Sequence, residues 1–124
     1  MILADTSVWI DHFRRGNAVL RERLESDTIT THAFVRGELA LGQFKRREEI
    51  FLHFDRLPQI PVASHDEVLT FVEHHKIYGE GMGWVDAHLL AAALLSEVSV
   101  WTLDTALERA ARTLGINVDG RRRS

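Results

Sequence analysis

Four acids in this chain stand at positions where a carboxylate is chemically expressive. Asp5 ends the apolar run Ile2-Leu3-Ala4 and precedes two hydroxyls, Thr6 and Ser7, in MILADTSVWIDHF. Glu38 lies in AFVRGELALGQF, with Phe34, Val35, Leu41 and Gly42 at helical spacing on either side. Asp86 follows GMGWV and opens an apolar stretch, and Asp104 stands just past VSVWTL. Carboxylates are hard oxygen donors. Gathered together they suit Mg²⁺ or Mn²⁺, which take oxygen ligands and keep waters for a phosphate to displace.

Each aspartate also has a plain structural reading. Asp5 and Asp104 stand where helix N-caps belong, and Asp86 suits a cap or a first turn facing the positive helix end. Glu38 has no such local role. Its neighbours place it on an apolar stripe, so the spacing predicts a carboxylate projecting toward the interior, and Arg36 is on the wrong side of the helix to pair with it. A buried carboxylate needs a cation, a hydrogen-bond network or a raised pKa. Two carboxylates about 5 Å apart repel by roughly 3 kcal/mol at an effective dielectric near 20, and a divalent cation relieves that repulsion. A site of this kind suits phosphodiester hydrolysis, with Asp5, Glu38, Asp86 and Asp104 as metal-holding and catalytic groups. Thr6, Ser7 and Thr102 are supporting hydroxyls, able to orient water, bond a carboxylate or simply cap an element.

The elements that must position these acids are readable from periodicity. Residues 2–4 predict a buried strand, followed by a helix from about Ser7 that stops at Gly16 and a second helix capped by Asn17. Thr28 to Thr31 predicts a strand, His32 to about Phe44 a helix, and about Arg46 to Leu57 another. Pro58 and Pro61 bracket an extended piece ending at Val62. Ser64 to Glu67 is a capping box opening the next helix, and Gly79, Gly81 and Gly83 make the connection after it. Asp86 to Leu95 is apolar almost all round, as in a helix enclosed within a domain. A strand at Val98–Thr102, a helix at Thr105–Leu114 and a strand at Ile116–Val118 complete the chain. Alternating strands and helices predict an α/β fold, a mostly parallel short-stranded sheet with helices on both faces. Ligands of such sheets sit beyond the carboxyl ends of the strands, where Asp5 and Asp104 fall.

The 124 residues allow one domain, with a loose basic tail expected at 120–124. Hydrophobic residues at 45% and charged residues at 27% fit a globular chain rather than a disordered one. With a net charge of −3, a nucleic acid must be attracted by local patches rather than overall charge. Arg14, Arg15, Arg36 and Trp84 are the candidate RNA contacts. There is no cysteine, which leaves no thiolate metal site and is compatible with a reducing cytoplasm. No run approaches the roughly 20 apolar residues of a membrane span. The seven histidines form no HExxH or HxH pattern, disfavouring zinc, and no glycine-rich phosphate loop follows a strand.

At MILADTSVWID, VRGELALG, GMGWVDAHLLAAAL and VWTLDTALERAARTLGI the chain resembles PIN-domain proteins, in particular the VapC-type toxins of bacterial toxin–antitoxin pairs. The resemblance runs almost end to end. It implies a three-layer α/β/α sandwich, a Mg²⁺- or Mn²⁺-dependent endoribonuclease, a homodimer, and a cognate antitoxin whose tail occupies the active-site groove. The family's four acids fall on Asp5, Glu38, Asp86 and Asp104, and the Thr of its TxD pattern on Thr102. The competing reading is a non-catalytic PIN-like module that binds RNA or protein. Both readings expect a partner or dimer surface from the surplus of apolar side chains between Phe34 and Leu57, which includes Phe44, Phe51, Leu52 and Phe54.

Overall fold

The run Ile2-Leu3-Ala4 forms the middle strand of the sheet, and its alternation explains the layering. Successive side chains of a strand point to opposite faces, and all three are at most 3% exposed, so both faces of β1 (Ile2–Ala4) are covered. The computed structural model describes residues 1–118; the expected basic tail at 120–124 lies outside them.

From β1 the chain passes through α1 (Thr6–Arg15) and α2 (Ala18–Glu25) to β2 (Ile29–Thr30). Gly16 adopts φ 73°, the left-handed conformation that lets the chain turn between these helices, and the Asn17 side chain caps α2 by accepting from the Leu20 amide. Then come α3 (Ala33–Ala40), α4 (Arg47–Phe54), α5 (His65–His75), α6 (Trp84–Ser96), β3 (Ser99–Trp101) and α7 (Thr105–Thr113). The strand order is β2-β1-β3, all parallel, with Ile2 opposite Ile29 and Ser99. Bridges from Thr31 to Gln59 and from Val100 to Val118 extend the parallel pattern at both edges. These are the expected extended pieces near Pro58 and at 116–118, shortened to isolated bridges. Because β2 and β3 flank β1 on opposite sides, the connections diverge from the carboxyl end of β1, which is the topological switch point of the sheet.

The core collects Ile2, Leu3, Val8, Leu20, Leu39, Leu90, Val100 and Trp101. The middle of α6 is enclosed as its composition predicts, with Ala87 through Ala93 all buried. The Ser64–Glu67 capping box forms as expected, with reciprocal bonds of 3.1 and 2.8 Å.

Two expectations need correction. The helix from His32 ends at Ala40 rather than near Phe44, because the chain turns at Leu41 and brings the Phe44 ring against Gly42, where any Cβ would collide with it. The apolar surplus between Phe34 and Leu57 is also partly core. Phe51 and Phe54 are buried and Phe44 packs against the core, whereas Leu41 at 91% and Leu52 at 57% remain exposed. Among the described residues no helix is long and apolar enough to cross a membrane.

Candidate active site

Asp5 occupies the switch point. Its amide still pairs with the Trp101 carbonyl at 3.0 Å, so the backbone belongs to the sheet while the side chain caps α1, accepting from the Val8 amide at 3.3 Å. The same carboxylate accepts from the Ser7 hydroxyl and from the Thr102 hydroxyl, each at 2.5 Å. Thr102 in turn accepts from the Asp104 amide, and Ser7 from the Leu103 amide, both at 2.9 Å. A hydroxyl network therefore ties the end of β1 to the segment that leaves β3. Asp5 is only 6% exposed. Burial pushes its carboxyl above the ordinary value, and the hydrogen bonds from Ser7, Thr102 and Val8 pull against that shift.

The other three acids stand on helices around the same edge. Asp86, half-buried in the first turn of α6, accepts from the Gly83 amide at 3.3 Å. Its carboxyl is raised, first by burial and then by the negative charges of Asp104 and Glu38, while the Gly83 bond opposes the shift. Asp104 is the N-cap of α7, accepting from Ala106 and Leu107 at 2.9 and 3.3 Å. Glu38 overturns its expectation: it is exposed, not buried. The core face of α3 is Val35 and Leu39, and the helix stops before Leu41, so the stripe that was to enclose Glu38 is itself open. Its Oε1 accepts from the Thr6 hydroxyl at 2.6 Å, which links it to the residue beside Asp5. The cap readings of Asp5, Asp86 and Asp104 thus hold, while Asp86 stands near enough to Asp104 and Glu38 for their charges to act on it.

Of the candidate RNA contacts, Arg36 is committed elsewhere: it donates to Asp55 at 2.7 Å and lies over the Phe51 ring at 3.7 Å. Arg15 pairs with Asp11 at 2.5 Å, and Arg14 is exposed. Trp84 is 39% exposed at the start of α6. Sequence reasoning missed two features near the acids. Asp11 is buried and also accepts from Asn17 at 3.1 Å; the Asp11–Arg15 spacing of one helical turn was the available signal. His32 on the approach to α3 and His88 on α6 are buried with ring centroids 6.5 Å apart, and burial followed by the nearby His88 lowers the His32 pKa to about 4.

Among the described residues, no three His, Asp or Glu side chains stand in a metal-holding arrangement. By chemistry the donor set still fits a hard divalent cation. It is all oxygen, two of its carboxyls are raised above their ordinary value by burial, and Asp86 is raised further by two neighbouring anions.

The comparisons place this geometry. The PIN domain family model matches residues 2–113. A protein named Ribonuclease VapC32, from Mycobacterium tuberculosis, is 44% identical over 117 residues, covering 94% of each chain. Solved structures share the fold: FitAcB from Neisseria gonorrhoeae has a TM-score of 0.66 at 19% identity over 97% of each chain. A toxin–antitoxin complex from Klebsiella pneumoniae has a TM-score of 0.66 at 19% identity, covering 85% of this chain and 88% of its counterpart. The parallel sheet with acids at its carboxyl edge, and likeness along nearly the whole sequence, make this chain a member of the PIN-domain family, of the VapC kind.

Proposed function

We propose that this chain is a divalent-metal-dependent endoribonuclease and the toxin of a toxin–antitoxin pair, acting in the cytoplasm. The observation that carries the reading is that the negative charges of Asp104 and Glu38 both act on Asp86, while Glu38 is tied through Thr6 to the residue beside the strand-end Asp5. The 44% identity to a protein named a ribonuclease supports it.

Asp5 and Asp86 would hold Mg²⁺ or Mn²⁺, with Glu38 and Asp104 completing the oxygen set directly or through water. When bound, such an ion supplies Lewis acidity toward a phosphoryl oxygen and makes water a nucleophile near neutral pH. The chain's own residues do the positioning. Ser7 and Thr102 lock the Asp5 carboxylate at both oxygens. Thr6 fixes one oxygen of Glu38 and leaves the other open to take a proton from the attacking water. As the water oxygen joins phosphorus, one P–O bond to a ribose breaks and the departing oxygen takes a proton from solvent water. Carboxylates alone repel the phosphate backbone, so strand binding would depend on the cation together with basic residues away from the acids such as Arg14.

The proposed antitoxin contacts are the acidic edge, where the resemblance puts its tail, and the groove of about 430 Å³ among α1, α2 and α4, lined by Trp9, Phe13, Leu24, Ile50 and Phe54. A homodimer is the second proposed assembly, with exposed Leu69, Leu94 and Leu95 on the α5–α6 face available to it. Sedimentation of the purified chain at rising concentration tests the dimer.

The test of the activity is cleavage of single-stranded RNA with added Mg²⁺ or Mn²⁺. Cleavage is expected to stop with chelator and in Asp5→Ala and Asp86→Ala proteins; cleavage surviving in either folded variant would refute the mechanism. One observation favours the second reading, a PIN-like module that binds without cutting: each acid already has a local hydrogen-bond partner. That reading requires RNA or protein binding with no cleavage under any metal condition.

A further inference from the structure

We infer that His32 is a positioning residue for Glu38: its buried imidazole fixes the first turn of α3, and with it the place of the carboxylate six residues on. The inference rests on the ribonuclease reading and adds to it a side chain that is not itself one of the acids.

Glu38 is exposed, so packing does not hold it, and among the described residues its carboxylate bonds the Thr6 hydroxyl alone. Its place is therefore set by the helix that carries it. α3 has eight residues, a length at which an isolated helix is marginal, so it depends on what anchors its first turn.

His32 makes that anchor. Its extended backbone leaves the edge of the sheet, where the Thr31 amide donates to the Pro58 carbonyl at 2.8 Å and the Ile60 amide donates to the Thr31 carbonyl at 2.9 Å. The His32 carbonyl accepts from the Arg36 amide at 3.1 Å, and its Nδ1 accepts from the Phe34 amide at 2.9 Å. The start of α3 is thus tied to the sheet on one side and to the imidazole on the other. Glu38 follows about 9 Å further along the helix axis.

The ring also joins two helices. His32 is 0% exposed and meets Phe34 edge-on, with centroids 5.2 Å apart and planes at 85°. His88 of α6 lies 6.5 Å from His32 and 4.4 Å from Phe34. These three rings fasten the start of α3 to the helix that carries Asp86. Asp86 projects from another side of α6 than His88, so the rings act on it through the body of the helix.

The chemistry of the ring separates this role from filling space. Accepting at Nδ1 puts the proton of the neutral imidazole on Nε2, and that buried nitrogen has no hydrogen-bond partner among the described residues. An unsatisfied buried donor opposes folding, and an apolar ring of similar size would avoid it. What an apolar ring lacks is the acceptor for Phe34.

Two substitutions separate the acceptor from the ring. His32→Asn keeps a capping oxygen and loses the ring contacts, whereas His32→Phe keeps a ring and loses the acceptor. Urea unfolding reads the stability of each, and initial rates on single-stranded RNA at saturating Mg²⁺ read kcat and KM. Rate and stability should part company. His32→Asn should be less stable than the native chain yet hold kcat within about 2-fold, while His32→Phe should lose about 10-fold in kcat with KM little changed. In a Glu38→Gln chain, His32→Phe should cause no further loss, because the group it positions is already gone. Mn²⁺ affinity, measured by calorimetry without RNA, should follow the same cycle. Native kcat and Mn²⁺ affinity in His32→Phe, an equal further loss in the Glu38→Gln chain, or a 10-fold loss of kcat in folded His32→Asn overturns the role. Should one variant fail to fold, the other carries the test against the native chain. Cleavage unaffected by His32→Phe sinks the role and leaves the enzyme. A native chain that binds Mn²⁺ but cuts no RNA sinks the enzyme, and the Mn²⁺ cycle still decides the role of His32.

Discussion

The two halves of the acidic edge are built on opposite principles. Asp5 is buried, belongs to the sheet ladder through its amide, and receives hydrogen bonds from Ser7, Thr102 and Val8. Glu38, Asp86 and Asp104 ride on the ends or open faces of helices, Asp86 and Asp104 capped locally and Glu38 tied to Thr6 of α1, while the charges of Glu38 and Asp104 act on Asp86. The first half is preorganised by hydrogen bonds that are present without any ion. In the second half, burial and then the neighbouring anions disfavour the charged form of Asp86.

The largest expected effect separates the halves by variant. Asp5→Ala and Asp86→Ala should each lower RNA cleavage by about 100-fold or more, because each removes charge stabilisation at the reacting phosphate. Their metal-free stabilities should diverge. Asp5→Ala strands two hydroxyls and a cap, at a cost of about 1–3 kcal/mol. Asp86→Asn removes a charge disfavoured first by burial and then by Asp104 and Glu38, and should melt slightly above the native chain at neutral pH. The sign follows from the raised Asp86 pKa: the charged form opposes folding above the unfolded value of 3.8, so the gap should close as pH falls toward 4. Thermal melts by circular dichroism across pH read both effects, and parallel melting curves for the two variants would erase the distinction.

A second effect comes from the pair of buried rings His32 and His88. His32 is buried against His88 with its pKa lowered from 6.5 to about 4, so the folded state favours the neutral ring. That contribution is intact above pH 6.5 and is lost as pH falls to about 4, on the order of 3 kcal/mol in all. Urea unfolding at steps across this window should show the loss, and His32→Phe should flatten it. An unchanged slope in that variant would assign the acid sensitivity to other groups.

The smallest effect concerns the link between the halves. Thr6→Val removes the hydrogen bond to Glu38 and should change stability by less than about 1 kcal/mol. Cleavage should fall several-fold, read as initial rates at fixed Mg²⁺. A rate equal to the native one would show that Glu38 needs no such tether.

The legible parts of this molecule were those with short-range causes. The strand ending at Asp5, the Ser64 capping box, the stop at Gly16 and the enclosed α6 follow from patterns a few residues long, and the structure carries all of them. Their order also foretold a parallel sheet, since strands separated by helices return in the same direction. What escaped depended on distant contacts. The burial assigned to Glu38 presumed that apolar neighbours mean interior, but Leu41 is 91% exposed because α3 ends one residue before it. Arg36 could not be paired from the sequence because its partner, Asp55, is on another helix. The proximity of His32 to His88 likewise exists only once α3 and α6 pack together.

The central claim, that these carboxylates form a seat for one hard cation chemistry, is most directly tested by calorimetric titration of Mn²⁺ into the full-length chain and into its Asp5→Asn and Asp86→Asn variants, without RNA. The account predicts saturable binding to the native chain and a loss of at least about 10-fold in affinity in each variant. Undiminished Mn²⁺ affinity in both folded variants, or no binding to the native chain at millimolar ion, would contradict it.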